Sequence, residues 1–142
     1  MSSGYVNACL YDRNNNINML CYGGGRSEGE IIIDEASLNP YGFVHGGLIF
    51  SLCDSAACFA AADGDGHFVT QNASINYLRP AFGMKLRAEG RLLHSGAKIS
   101  VVNVDVYDES ERLVACSRFS LCRVHLKNVK DLLYRDGAER EI

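Results

Sequence analysis

From Leu48 to Ala62 the chain is almost entirely apolar or small, with one charge, Asp54, in the middle. Within it Leu48, Ile49, Leu52, Cys53, Ala56, Phe59 and Ala60 recur at helical spacing. The opposite face is also small or apolar, so most of the circumference of this helix calls for cover by protein. The segment is too short to span a membrane, which takes roughly 20 apolar residues. The cover must therefore come from the rest of the chain. Asp63, Gly64, Asp65 and Gly66 supply the stop signal.

Around this helix the hydrophobic period is two. Before it, Met19–Gly23 reads as a strand, the turn-like GGRSEG follows, and a second strand centres on Ile31–Ile33 and ends at Asn39-Pro40. After it come four more strands. HFVTQNASINYL places Val69, Ala73, Ile75 and Tyr77 on one face and Thr70, Asn72, Ser74 and Asn76 on the other, and Pro80 breaks the run. In LRAEGRLL, Leu86, Ala88 and Leu92 alternate with Arg87, Glu89 and Arg91. In ISVVNVDVYD, Val102, Val104 and Val106 oppose Asn103 and Asp105. LVACSRFSLCRV is the last strand, with weaker alternation. Short turns at SGAK and DESER favour antiparallel pairing. The expected architecture is α+β: one antiparallel sheet curved around one apolar helix. Residues 1–18 read as a short helical turn and a loop, and the charged tail as an exposed helix or a poorly ordered end.

With 142 residues the chain fits one domain, and a domain near that length buries roughly 70% of its unfolded surface without disulfides or metal. A net charge of −3 gives no broad pull toward nucleic acid. Six cysteines occur without C-x-x-C or zinc-like spacing, and Cys53, Cys58, Cys116 and Cys122 sit in apolar runs. Reduced cysteines, and an N-terminus without signal-peptide character, lead us to expect a cytoplasmic protein. His67, His94 and His125 have no neighbours that suggest a metal.

The chemistry concentrates around the helix. A buried, ionised and unpaired Asp54 would cost several kcal/mol. Either it lies at a surface or capping position, or it is held in a cleft as nucleophile or general base. Gly46 and Gly47 fall where the helix begins. Backbone N–H groups there lack intrahelical partners, the helix dipole favours negative charge, and a carbonyl can approach a residue without a side chain. Those are the elements of an oxyanion hole, although the glycines also suit a tight turn into a helix. Asp54 lies about 12 Å further along the axis at 1.5 Å per residue. One reacting centre then needs a long substrate or two chains. Asn39 is either a turn residue before Pro40 or a group that positions water or substrate. His45 is read as fixing the glycine loop, and Cys53 as core rather than nucleophile. Thr70 is a candidate only as a strand-face hydroxyl.

The run Asn39-Pro40-Tyr41-Gly42-Phe43-Val44-His45-Gly46-Gly47 followed by Asp54 resembles the hot-dog-fold thioesterases of the phenylacetic-acid-degradation (PaaI-like) type. So does Ser74-Ile75-Asn76-Tyr77-Leu78-Arg79-Pro80, and in element order the likeness covers about 19–125. The resemblance implies a single hot-dog thioesterase domain over 1–142, with a charged tail at 126–142. It implies hydrolysis of an aryl-acyl or medium-chain acyl-CoA, no metal, and no cofactor beyond the coenzyme A of the substrate. It implies homodimers or homotetramers with the site between subunits, and neither nucleic acid nor membrane as partner. By position, the Gly46 N–H would polarise the thioester carbonyl. Asp54 of another subunit would activate water or attack. Asn39 would orient substrate or water, His45 would hold the loop, and Thr70 would assist Asp54. Arg79, with Lys85 and Arg87, would be available to coenzyme A phosphates. Two alternatives stand beside this: a non-catalytic binder of acyl-CoA or aromatic ligands on the same fold, and, ranked last, a hot-dog hydratase.

Overall fold

The computed structural model describes residues 9–62 and 66–124. The stop signal at Asp63–Asp65 and the charged tail lie outside the described residues. A short helix α1 (Leu10–Asn14) leads into β1 (Ile17–Gly23) and β2 (Arg26–Ile32). The central helix α2 (Gly46–Ala61) follows, then β3 (His67–Tyr77), β4 (Lys85–Ser95), β5 (Ile99–Tyr107) and β6 (Leu113–Val124). β1 begins earlier than the hydrophobic pattern suggests, and β2 ends at Ile32, ahead of a 3-10 turn at Glu35–Ser37. The β1–β2 hairpin closes through Gly24 and Gly25, at φ +61° and +77°. Two successive positive φ values mark the type I′ turn that suits the twist of antiparallel strands.

The six strands form one antiparallel sheet in the order β1-β2-β4-β5-β6-β3. β4, β5 and β6 are joined by hairpins, as the short turns imply. β3 is not: it pairs with β6 at the sheet's edge, and residues 78–84 carry the chain back to the middle, where β4 pairs with β2. Helix α2 lies across the concave face and touches all six strands. Its contact face is Leu48, Ile49, Leu52, Cys53, Ala56, Ala57, Ala60 and Ala61, all buried. Burying a side chain such as Leu52 contributes roughly 1.5–3 kcal/mol.

The alanines near the end of α2 have a specific use. They let the sheet close to backbone distance on the helix, and Ser27 Oγ donates a hydrogen bond to the Ala56 carbonyl at 2.6 Å. Gly90 of β4 occupies the tightest point. A Cβ there would collide with Ser27 Oγ and stand 2.9 Å from the Ala56 oxygen. Val102, Val104 and Val106 of β5 and Leu86 and Ala88 of β4 complete the core as their alternation indicates. Among the described residues no helix is long and apolar enough to cross a membrane.

One strand face departs from the alternation. A register shift between Thr70 and Asn72 leaves Gln71 as an extra residue in β3. A bulge of one residue reverses which face the following side chains take. Thr70 therefore faces the helix on the same side as Ala73 and Ile75, whereas Val69 is turned outward and is 51% exposed. The assignment of Val69 to the inner face and Thr70 to the outer one is corrected by this bulge.

Candidate active site

α2 starts abruptly, and the start is what builds the first half of the site. His45 caps the helix: its Nδ1 accepts from Gly47 N–H at 2.9 Å. The His45 carbonyl accepts from both Leu48 N–H at 3.0 Å and Ile49 N–H at 3.2 Å. The Gly46 N–H, on the same peptide unit as that doubly bonded carbonyl, has no hydrogen-bond partner among the described residues. Hydrogen bonds accepted by a carbonyl polarise its peptide unit and strengthen the N–H as a donor. The loop-holding role expected of His45 thus has a geometric basis, and it reserves Gly46 rather than Gly47 as the free donor.

That donor opens on a cavity of about 370 Å³ lined by Asn39, Gly46, Ile49, Tyr77, Arg79 and Ala81, among others. Tyr77 escaped the sequence reading. Its hydroxyl donates to the Gly46 carbonyl at 2.7 Å, and its ring lies 3.2 Å from where a Gly46 Cβ would be. Burial pushes the Tyr77 phenol above its ordinary range, so it stays a donor. Asn39 uses its Oδ1 to accept from Tyr41 N–H at 2.9 Å and Phe43 N–H at 3.1 Å. This is the turn-forming role, and it fixes the loop that leads to His45. Its carboxamide nitrogen has no protein partner among the described residues, and Asn39 is one of the residues that line the cavity. Of the three cations considered for phosphates, only Arg79 lines the cavity. Lys85 pairs with Glu30 at 3.7 Å, and Arg87 pairs with Glu89 and with Glu111 at 2.6 Å, away from that cavity.

Asp54 is not part of that cavity. It sits two turns along α2 on a half-buried stripe formed by Ser51, Asp54, Ser55 and Cys58. Residues three, four and seven apart share one helix face, so the stripe is polar by spacing, not by accident of one residue. Thr70 Oγ1 donates to Asp54 Oδ1, the pairing that the β3 bulge makes possible. No cation forms an ion pair with Asp54 among the described residues. Cys53, beside it in sequence, points the other way: it is 0% exposed, and burial pushes its thiol to about 12. Among the described residues no three His, Cys, Asp or Glu side chains are grouped as metal ligands would be.

The structure thus gathers the expected residues into two sets within one chain. Asn39, His45, Gly46 and Arg79 surround the donor end of α2. Asp54 and Thr70 meet about 12 Å away by the rise of the helix. Chemistry at a single carbonyl needs a donor and a carboxylate near one another, and one chain does not juxtapose them.

The family model described as "Thioesterase superfamily" matches residues 41–115, which carry His45, Gly46, Asp54, Thr70 and Arg79. The chain is 32% identical over 82 residues to the acyl-coenzyme A thioesterase PaaI of Escherichia coli, covering 57% of this chain and 59% of that protein. It is 29% identical over 102 residues to a putative esterase of Archaeoglobus fulgidus, covering 71% of this chain and 66% of that one. The chain therefore spans about two thirds or less of the length of these two relatives. A Streptococcus mutans protein solved bound to acetyl-CoA superposes with a TM-score of 0.73 at 32% identity, covering 80% of this chain and 92% of that chain. With more than half its length in the family match and this sheet-and-helix architecture, the chain belongs to the thioesterase superfamily, a thioester hydrolase family, and has its hot-dog fold.

Proposed function

We propose that the protein hydrolyses acyl-CoA thioesters, with aryl-acyl or medium-chain acyl groups as the substrates to try first. The observation that carries this reading is the unpartnered, polarised Gly46 N–H at the head of α2, opening on a cavity that holds Arg79 and the Asn39 amide. A thioester oxygen placed on that N–H gains a donor that strengthens as negative charge develops on it. Arg79 offers a cation to the phosphates of coenzyme A.

The carboxylate comes from a second copy of the chain. β3 is an edge strand with an open ladder, and it carries Thr70 against Asp54. Joining two copies along this edge would bring Asp54 and Thr70 of one toward the Gly46 turn of the other, which answers the separation within one chain. Asp54, oriented by the Thr70 hydroxyl, either takes a proton from the attacking water or attacks the carbonyl itself and is released by water. Asn39 contributes its free carboxamide nitrogen to substrate or water. The thiolate of coenzyme A leaves and takes up the proton.

A panel of acyl-CoAs assayed for released thiol tests this directly. Turnover on at least one member, lost in Asp54→Ala with binding retained, is the expected result. Tight acyl-CoA binding without turnover would replace the enzyme by a binder. Single turnover in labelled water separates the two roles of Asp54, since label in its carboxylate means attack. Sedimentation of the active species tests the shared site, because a monomer with full activity contradicts it.

A further inference from the structure

The outward face of the sheet, turned away from α2, carries its charges in rows. Alternation puts Arg26 and Glu28 of β2, Glu89 and Arg91 of β4, Asn103 and Asp105 of β5, and Cys116 and Arg118 of β6 on this face. The strand registers then align them. Arg26 stands opposite Arg91, Arg91 opposite Asn103, and Asn103 opposite Arg118. Two residues along each strand, Glu28 stands opposite Glu89, Glu89 opposite Asp105, and Asp105 opposite Cys116. A row holding three arginines therefore runs beside a row holding three carboxylates. β3 extends the two rows with uncharged Ser74 and Asn76.

This order works against the isolated chain. Like charges directly opposite on neighbouring strands are destabilising, and a face turned only to water would gain by setting arginine opposite carboxylate. Arg26, Arg91, Arg118, Glu28 and Asp105 form no ion pair among the described residues. Arg118 Nε instead donates to Asn103 Oδ1 at 2.9 Å, and Glu89 pairs with Arg87 of its own strand. Arg26, Glu28, Glu89, Arg91 and Arg118 are all exposed. A hollow of about 300 Å³ opens on the same face, lined by Ser74, Asn76, Asn103, Asp105 and Arg118 among others.

The two rows are complementary to themselves. Consider a two-fold axis in the plane of contact, running across the strands midway between the rows. It turns a second copy so that the acidic row of that copy lies over the basic row of the first. Position along the row is unchanged, so Arg91 meets Glu89 of the second copy and Arg26 meets its Glu28. The reciprocal contacts form by the same operation, as an isologous interface requires. Sheets packed face to face keep their strand directions within about 30° of each other. β4 and β5, at the middle of the sheet, therefore stay best aligned.

We propose that the outward sheet face is a docking surface for a second copy of this chain, with the arginine row of each copy seated on the carboxylate row of the other. The β3 edge invoked above would join copies through main-chain groups and leaves this face open, so the two contacts do not compete. The docking surface stands whether or not the protein hydrolyses thioesters.

Sedimentation of the full-length protein tests it. Arg91→Glu sets like charge against Glu89 of the second copy, and Glu89→Arg sets like charge against its Arg91. Each variant alone should raise the dissociation constant of this contact about tenfold or more and sediment at half the mass of the assembled parent. Arg91→Glu also removes the like-charge neighbour of Arg26, so urea denaturation should show a fold no weaker than the parent's. Mixed in equal amounts, the two variants place unlike charges together at both contacts and should regain the parent's mass. Salt should dissociate the parent, because the screening length falls to about 3 Å at 1 M. Four results would each overturn the proposal: a parent that remains a single copy at every concentration, an assembly whose mass neither variant changes, an assembly indifferent to salt, or variants that stay apart when mixed.

Discussion

Gly46→Ala separates what the first residue of α2 does for the fold from what it does for the reaction. No positive φ is required at Gly46, so alanine fits the backbone there and gains up to about 1 kcal/mol of helix propensity. Against that gain stands one contact. The new Cβ would lie 3.2 Å from Tyr77 Cζ and 3.4 Å from its hydroxyl, so the ring must yield by a few tenths of an ångström. The 2.7 Å bond from that hydroxyl to the Gly46 carbonyl then weakens, at a cost of roughly 0.5–1.5 kcal/mol. The two terms nearly cancel, and urea denaturation should show a stability within about 1 kcal/mol of the parent. The reaction has no such compensation. The methyl group is added on the residue that carries the free N–H and lines the cavity, and loss of one oxyanion donor typically costs on the order of a hundredfold or more. A fall in kcat/KM of tenfold to a hundredfold, about 1.4–2.8 kcal/mol of transition-state stabilisation, is therefore expected. The assay is thiol release on the best acyl-CoA, with the denaturation curve measured on the same preparation. A variant with kcat/KM within about twofold of the parent would show that the substrate oxygen does not sit at Gly46.

Other outcomes follow from the packing and the titrations. Gly90→Ala drives a methyl into Ser27 Oγ and the Ala56 carbonyl and should cost roughly 1–3 kcal/mol in urea denaturation. Asp12 has a folded-state pKa above its unfolded value of 3.8, so its burial destabilises the fold once pH exceeds 3.8 and fully so above the folded value. Asp12→Asn should therefore raise the melting temperature at neutral pH and leave it unchanged below pH 3.8; a uniform change at both would refute the linkage. Cys53, buried and with its thiol held near 12, should resist a thiol reagent until the protein unfolds, whereas exposed Cys9 should react at once.

Much of this was legible along the chain, because periodicity reports burial directly. The apolar helix at 46–61, the valines of β5 and the alternation of β4 are local patterns, and each was buried as its period indicates. The glycine pair and the lone aspartate marked the two ends of the candidate site, since their side chains, or lack of them, break the pattern around them. The stripe of Ser51 and Ser55 around Asp54 was also visible in principle, at spacings of three and one on an otherwise apolar helix. Thr70 was assigned to the wrong face for a physical reason. A single extra residue at Gln71 inverts a period-two pattern, and no composition signals it.

The sequence by itself determined that a helix would be wrapped by a sheet, where that helix would start, and which residues there lack side chains or carry charge. Those follow from the chain's local period and from sterics at single positions. Only the tertiary structure decided that β3 closes the sheet against β6 at its edge, that Tyr77 reaches the Gly46 carbonyl, and that α1 brings Asp12 to the Ser55 hydroxyl of α2. Each of these joins residues 31 or more positions apart, where the partner is chosen by how the sheet curves over the helix and by which polar groups that closure leaves in need of a hydrogen bond.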